Sequence, residues 1–138
     1  MLSYIVLARM LPAGKEVAVP IGENIVFDSI VSDGGTAISY DKSSEIITFV
    51  DEGFYYIDWY AAPQAGLSDV GSNWAIQTGI SKMSIIGSSH TKIAVISGFA
   101  LIDAEANETV RLVNVLSEAL MLSHCVKSKA ALSAYKII

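Results

Sequence analysis

The chain has 138 residues, enough for one domain with a real core and too few for two. Hydrophobic residues make up 52% of it, charged residues 17%, and the net charge is −5, which excludes an electrostatic grip on nucleic acid or anionic lipid. No run reaches the roughly 20 apolar residues of a membrane-spanning helix, so the apolar surplus points to strands buried on both faces and to a contact surface with identical copies.

The first eleven residues lack a basic n-region and their apolar run is broken at Arg9, so no signal peptide is expected. Turn-forming clusters then recur at short, even spacing: Pro12-Ala13-Gly14, Gly22-Glu23-Asn24, Ser32-Asp33-Gly34-Gly35, Asp41 to Ser44 and Asp51-Glu52-Gly53. They continue with Gly66 to Asn73, Gly87-Ser88-Ser89 and Glu105-Ala106-Asn107. Between them lie alternating runs rich in β-branched and aromatic residues. Ile38 and Tyr40 oppose Ser39 and Asp41, and Tyr55, Ile57 and Trp59 oppose Tyr56, Asp58 and Tyr60. Tyr55, Ile57 and Trp59 are the expected core positions. Both faces of the run from Ile93 to Asp103 are apolar, and both are expected to be buried.

Val110 to Ser123 is ambiguous, because Leu112, Val113, Leu116 and Leu120 fall at helical spacing. The surrounding pattern favours two strands, Val110 to Leu116 and Leu120 to Val126, with Ser117-Glu118 as the turn. The whole predicts a single domain over residues 1–138, all-β, a β-sandwich or jelly roll of about ten strands.

No catalytic set emerges. Gly-x-Ser-x-Gly is absent, and His124-Cys125 are adjacent, so on a strand they would point to opposite faces and form no nucleophile and base. Cys125 is expected as a buried apolar thiol or, failing that, an intermolecular bridge. His90, His124 and the carboxylates show no metal-ligand spacing. The acids beside turns read as solvated, and Ser32-Asp33-Gly34-Gly35 lacks the lysine and helix of a phosphate loop. No cofactor, no metal and no enzymatic activity are expected. Trp74, at the end of a polar loop, and Tyr56 and Tyr60, facing away from the core, are candidates for a ligand-binding surface, although such aromatics more often pack.

At Thr48 to Pro63 (TFVDEGFYYIDWYAAP) the chain resembles the central strand of the trimeric jelly roll shared by complement globular heads and tumour necrosis factor ligands. Ser97-Gly98-Phe99-Ala100-Leu101-Ile102, then Ala106 to Leu112, then Ala130 to Ile137 follow in the order of that fold. The resemblance is greatest to the C-terminal domains of collagen-like exosporium glycoproteins of spore-forming bacteria (BclA type). It runs from about Asn24 to the end. Two turns depart from that pattern, Ser81-Lys82 and Asn107-Glu108 standing where Asn-Gly and Gly-Asp are expected, and residues 1–138 contain no collagen-like Gly-x-y tract.

The resemblance implies an all-β, two-sheet jelly-roll sandwich of about ten antiparallel strands, assembled as a homotrimer in which first and last strands pair around a threefold axis, with Tyr4, Val6, Phe99, Leu132 and Tyr135 as interface candidates. It implies a non-enzymatic trimerisation and surface-display or adhesion module on a spore surface or cell exterior, with a host-surface protein or glycan as partner. A virion receptor-binding tip or structural protein, and a carbohydrate-binding module using Trp74 with Gly66 to Asn73, are the alternatives.

Overall fold

The computed structural model describes residues 2–64, 72–89, 95–116 and 118–138. Among the described residues the chain forms twelve strands and no helix. They are β1 (Tyr4–Arg9), β2 (Val17–Val19), β3 (Ser29–Gly34), β4 (Ile38–Asp41), β5 (Ile46–Phe49) and β6 (Gly53–Ala61). The second half supplies β7 (Ser72–Thr78), β8 (Ser84–Ser89), β9 (Ile96–Ala104), β10 (Glu108–Asn114), β11 (Leu120–Leu122) and β12 (Ala130–Lys136).

Two five-stranded sheets face each other, one in the order β3-β1-β12-β6-β9 and the other β4-β5-β10-β7-β8. All their pairings are antiparallel, and the chain crosses repeatedly between the sheets. The expected count of about ten matches these two sheets. The additional pair, β11 with β2, consists of three-residue strands too short to show a pattern.

The core lies between the sheets, with Leu7, Ile57, Trp59 and Leu132 from the first and Phe49, Trp74, Ile76 and Leu112 from the second. Phe49 and Tyr55 join the layers by stacking, with centroids 4.0 Å apart and planes 7° from parallel. The Tyr55 hydroxyl donates to the Asp51 carbonyl at 2.6 Å, which satisfies its polar end. Trp59 reaches the open edge of the sandwich, where Gly98 of β9 and Gly87 of β8 make room for it. A Cβ at either would stand 2.7 or 2.8 Å from the indole.

Among the described residues the ambiguous segment after Val110 holds the strands β10 and β11 and no helix, and Ser117 of the expected Ser117-Glu118 turn lies outside them. β10 ends at Asn114, whose buried amide donates to the Val19 carbonyl at 2.9 Å and the Glu118 carbonyl at 3.0 Å and accepts the Leu116 N–H at 2.9 Å. Those bonds turn the chain before a helix could begin. The later strand stops at Leu122 rather than Val126, because Ser123 accepts the Cys125 N–H on its hydroxyl and bends the backbone.

The two departures from the resembled pattern touch each other. Asn107 and Lys82 hold left-handed φ values of 62° and 56°. The buried Glu108 carboxylate accepts the Ile80 N–H at 2.6 Å, the Ser81 N–H at 3.1 Å and the Ser81 hydroxyl. One carboxylate thus fastens the β7–β8 turn to the start of β10.

Two substitutions test this packing by chemical denaturation. Asn114→Leu strands the Val19 and Glu118 carbonyls and the Leu116 N–H and is expected to cost about 3 kcal/mol. Gly98→Ala presses a methyl into the Trp59 indole and is expected to cost about 1–3 kcal/mol.

Candidate functional site

Directly opposed residues in an antiparallel sheet share a face, so the register of the β3-β1-β12-β6-β9 sheet places its outward side chains in rows. One row runs Tyr4, Tyr135, Tyr56, Leu101 across β1, β12, β6 and β9. The next runs Val6, Ser133, Asp58, Phe99. Tyr56 contacts Tyr135 at 5.5 Å and stacks on Phe99 at 6.2 Å between centroids. Phe99 is 68% exposed, Leu101 56% and Tyr135 40%. The β9 run is therefore buried on one face only and not on both as expected, because among the described residues no second layer packs on its outer side. The opposite face of the same sheet is already filled by the core, and none of the described residues covers this aromatic band.

Of the interface candidates, Tyr4, Val6, Phe99 and Tyr135 lie on this outward face, whereas Leu132 does not. Leu132 is fully buried, opposed to Leu7 and Trp59, because the inward parity of β12 falls on Ala130, Leu132 and Ala134. Tyr55, Ile57 and Trp59 lie in the core. Tyr56 and Tyr60 share the outward face, and the Tyr60 hydroxyl is tied to Ser128. Trp74 is not a surface residue. It sits on β7, flanked by β10 and β8, is fully buried, and donates its indole N–H to Ser72 at 2.7 Å. The carbohydrate reading built on Trp74 loses its aromatic platform. Of the loop Gly66 to Asn73, only Ser72 and Asn73 belong to the described residues, and His90 lies outside them.

A second cluster forms at the end of this sheet, from the β1–β2 link, the residues after β6 and the β11–β12 link. Cys125 is exposed rather than buried. The bend at 124–125 replaces the expected strand and turns the two side chains toward one another, with the Cys125 thiol 3.3 Å from His124 Nε2. His124 Nδ1 meets Gln64 Oε1 at 2.6 Å, and the His124 backbone N–H donates to the same oxygen at 3.3 Å. The Gln64 amide N–H in turn donates to Glu16. Gln64 and Glu16 carry no local signal linking them to His124. Backbone bonds from Ser123 N–H to the Ala62 carbonyl and from Gln64 N–H to the Met121 carbonyl join the two segments. Beside the thiol is an apolar recess of about 350 Å³, lined by Met10, Leu11, Ala13 and Val126, with Lys127 on the same wall.

No family model matches the chain, and no curated protein matches its sequence. Solved structures match over 99% of its length. One is the globular domain of zebrafish complement 1qA protein, at 12% identity and TM-score 0.71 over 98% of that chain. Another is the Eiger TNF from S. frugiperda, at 10% identity and TM-score 0.71 over 93%. The PRD1 vertex protein P5 aligns at 16% identity and TM-score 0.62 over 97%. The chain therefore has the jelly-roll sandwich fold of complement globular heads and tumour necrosis factor-like proteins. Among the described residues no group of three or more His, Cys, Asp or Glu is placed to hold a metal, and no helix is long and apolar enough to cross a membrane.

One wall of the recess is held by Asp28, which accepts the Leu11 N–H at 2.7 Å and the Met10 N–H at 3.1 Å. Burial pushes the Asp28 carboxyl up, but the bonds from Leu11, Ser29 and Met10, with the Arg9 guanidinium beside it, outweigh burial and hold it below 3.8. A carboxyl lowered by folding stabilises the fold above its unfolded-state value, and that stability is lost as pH falls through the lower folded-state value. Urea unfolding between pH 5 and pH 2.5 is therefore expected to show a shallower loss of stability for Asp28→Asn than for the wild type.

Proposed function

We propose that this domain is a non-enzymatic association and display module: three copies close around the outward face of the β3-β1-β12-β6-β9 sheet and present their other surfaces to partners. The observation that carries this reading is the uncovered band of Tyr56, Phe99, Leu101 and Tyr135 on a sheet whose reverse side is already packed. Contiguous apolar surface of this kind marks contact sites, and burying one such large side chain contributes about 1.5–3 kcal/mol. The face is self-complementary in chemistry, since apolar rings dominate it and Asp58 and Ser133 supply sparse polarity. The likeness to complement and tumour necrosis factor-like folds supports the same arrangement. Tyr4 and Val6 extend the interface toward the β1 edge.

The setting we propose is the C-terminal domain of a collagen-like protein of a spore or cell surface, where trimerisation sets the register of a stalk and threefold display converts weak contacts with a host protein or glycan into avidity. A virion role is the second reading, favoured by the alignment with the PRD1 vertex protein P5. Fold alone does not separate the two.

Sedimentation equilibrium at micromolar concentration tests the association. The wild type is expected at three times the 14.7 kDa protomer mass. Phe99→Asp combined with Tyr135→Ser is expected to sediment as a folded monomer with an unchanged circular dichroism spectrum. A monomeric wild type removes the reading.

A further inference from the structure

We propose that Cys125 is an activated nucleophilic thiol, with His124 as its base, and that this end of the sandwich is a site of thiol–disulfide exchange for a disulfide bearing an apolar or aromatic group.

The first support is the orientation of the imidazole, which is fixed from outside the pair. The Glu16 carboxylate can only accept, so the Gln64 amide must turn its NH₂ toward it. That leaves Gln64 Oε1 facing His124. The oxygen there also accepts the His124 backbone N–H, a donor that only an oxygen could satisfy. His124 Nδ1, 2.6 Å from this oxygen, must therefore be the protonated nitrogen. In the neutral imidazole Nε2 then carries the lone pair, and it is this nitrogen that lies 3.3 Å from the Cys125 thiol. Glu16 and Gln64 act as positioning residues, in the way a third group orients the base of a nucleophile–base pair.

The second support is the recess beside the thiol. Met10, Leu11, Ala13 and Val126 give it an apolar lining, and the backbone of its Met10–Leu11 wall is tied to Asp28 rather than left to move. Lys127 also lines the recess. The site belongs to the links at the end of the sheet, whereas the aromatic band belongs to strand interiors, so the two surfaces are separate.

The exchange balances without a further oxidant. His124 Nε2 takes the thiol proton as Cys125 Sγ attacks one sulfur of the incoming disulfide. The S–S bond of the reagent breaks, a new S–S bond joins one half to Cys125, and the other half leaves as thiolate with the bonding pair. That thiolate takes the proton from the imidazolium or from water. Cys125 is oxidised to a mixed disulfide and the departing half is reduced to a thiol.

The test is the rate at which the folded protein reacts with dithiodipyridine, a neutral aromatic disulfide that releases a coloured thione, with glutathione as the reference thiol at the same neutral pH. Cys125 is expected to react on the order of tenfold faster than glutathione. Cys125→Ser releases no thione. His124→Asn brings the rate to within about twofold of the reference, with unchanged thermal unfolding because the side chain is exposed. Gln64→Met slows the reaction and shifts the imidazole nitrogen resonances away from the Nδ1–H tautomer, a change that loosened packing alone does not produce. Leu11→Ser slows dithiodipyridine more than the small polar hydroxyethyl disulfide. A wild-type rate within about threefold of glutathione, or a His124→Asn rate within about threefold of wild type, overturns the proposal.

Discussion

The structure depends on the in-register antiparallel pairing of its first strand with its last. Leu7 opposes Leu132 and Tyr4 opposes Tyr135, and β6 continues the same register with Trp59 opposite Leu132. Because side chains alternate, a slip of one residue would turn Leu7 and Leu132 outward and bring Val6 and Ser133 into the core. Leu7, Ile57 and Leu132 are fully buried, and that packing forbids the slip. The same constraint obliges Tyr56, Phe99 and Tyr135 to stand outside. Core and association face are two consequences of one register.

How much of this could be read beforehand varied with contrast between the two parities of a strand. In β6 the alternation of Tyr55, Ile57 and Trp59 with Asp58 among the opposing residues is strong, and the inward set is legible. In β12 the small residues Ala130, Ala131, Ser133 and Ala134 occupy both parities, so nothing local distinguishes the inward Leu132 from an outward one. Trp74 misled for a different reason. The polar stretch before it suggests a loop end, but its burial is set by β10 and β8 on either side, which a local pattern does not contain. The helical spacing after Val110 yields to Asn114, whose amide bonds to Val19, distant in the chain, and to Glu118 and Leu116 nearby.

The features that remained hidden share a physical form: a polar side chain from one segment satisfying groups of another at a strand end. Glu108 does so for Ile80 and Ser81, and Asn114 for Val19. Gln64 does so for His124. Strand ends leave backbone donors and acceptors without ladder partners, and each must find one. The partner is chosen by three-dimensional proximity, so these contacts have no sequence period. The Ser81-Lys82 and Asn107-Glu108 turns illustrate the point. They are unusual separately and complementary together, a left-handed backbone at each turn being joined by one carboxylate.

The two surfaces also constrain one another through symmetry. Under the proposed association, cyclic symmetry places every copy of the Cys125 site at one level along the axis and at equal separations. A disulfide consumes thiols in pairs, and each protomer has a single cysteine. In a ring of three, internal pairing can therefore never consume all of them, because one thiol is left over by parity alone. A twofold assembly could silence its own cysteines completely, but a threefold one cannot. A closed trimer of this kind thus keeps at least one Cys125 thiol out of internal pairing, whatever disulfides form within the ring.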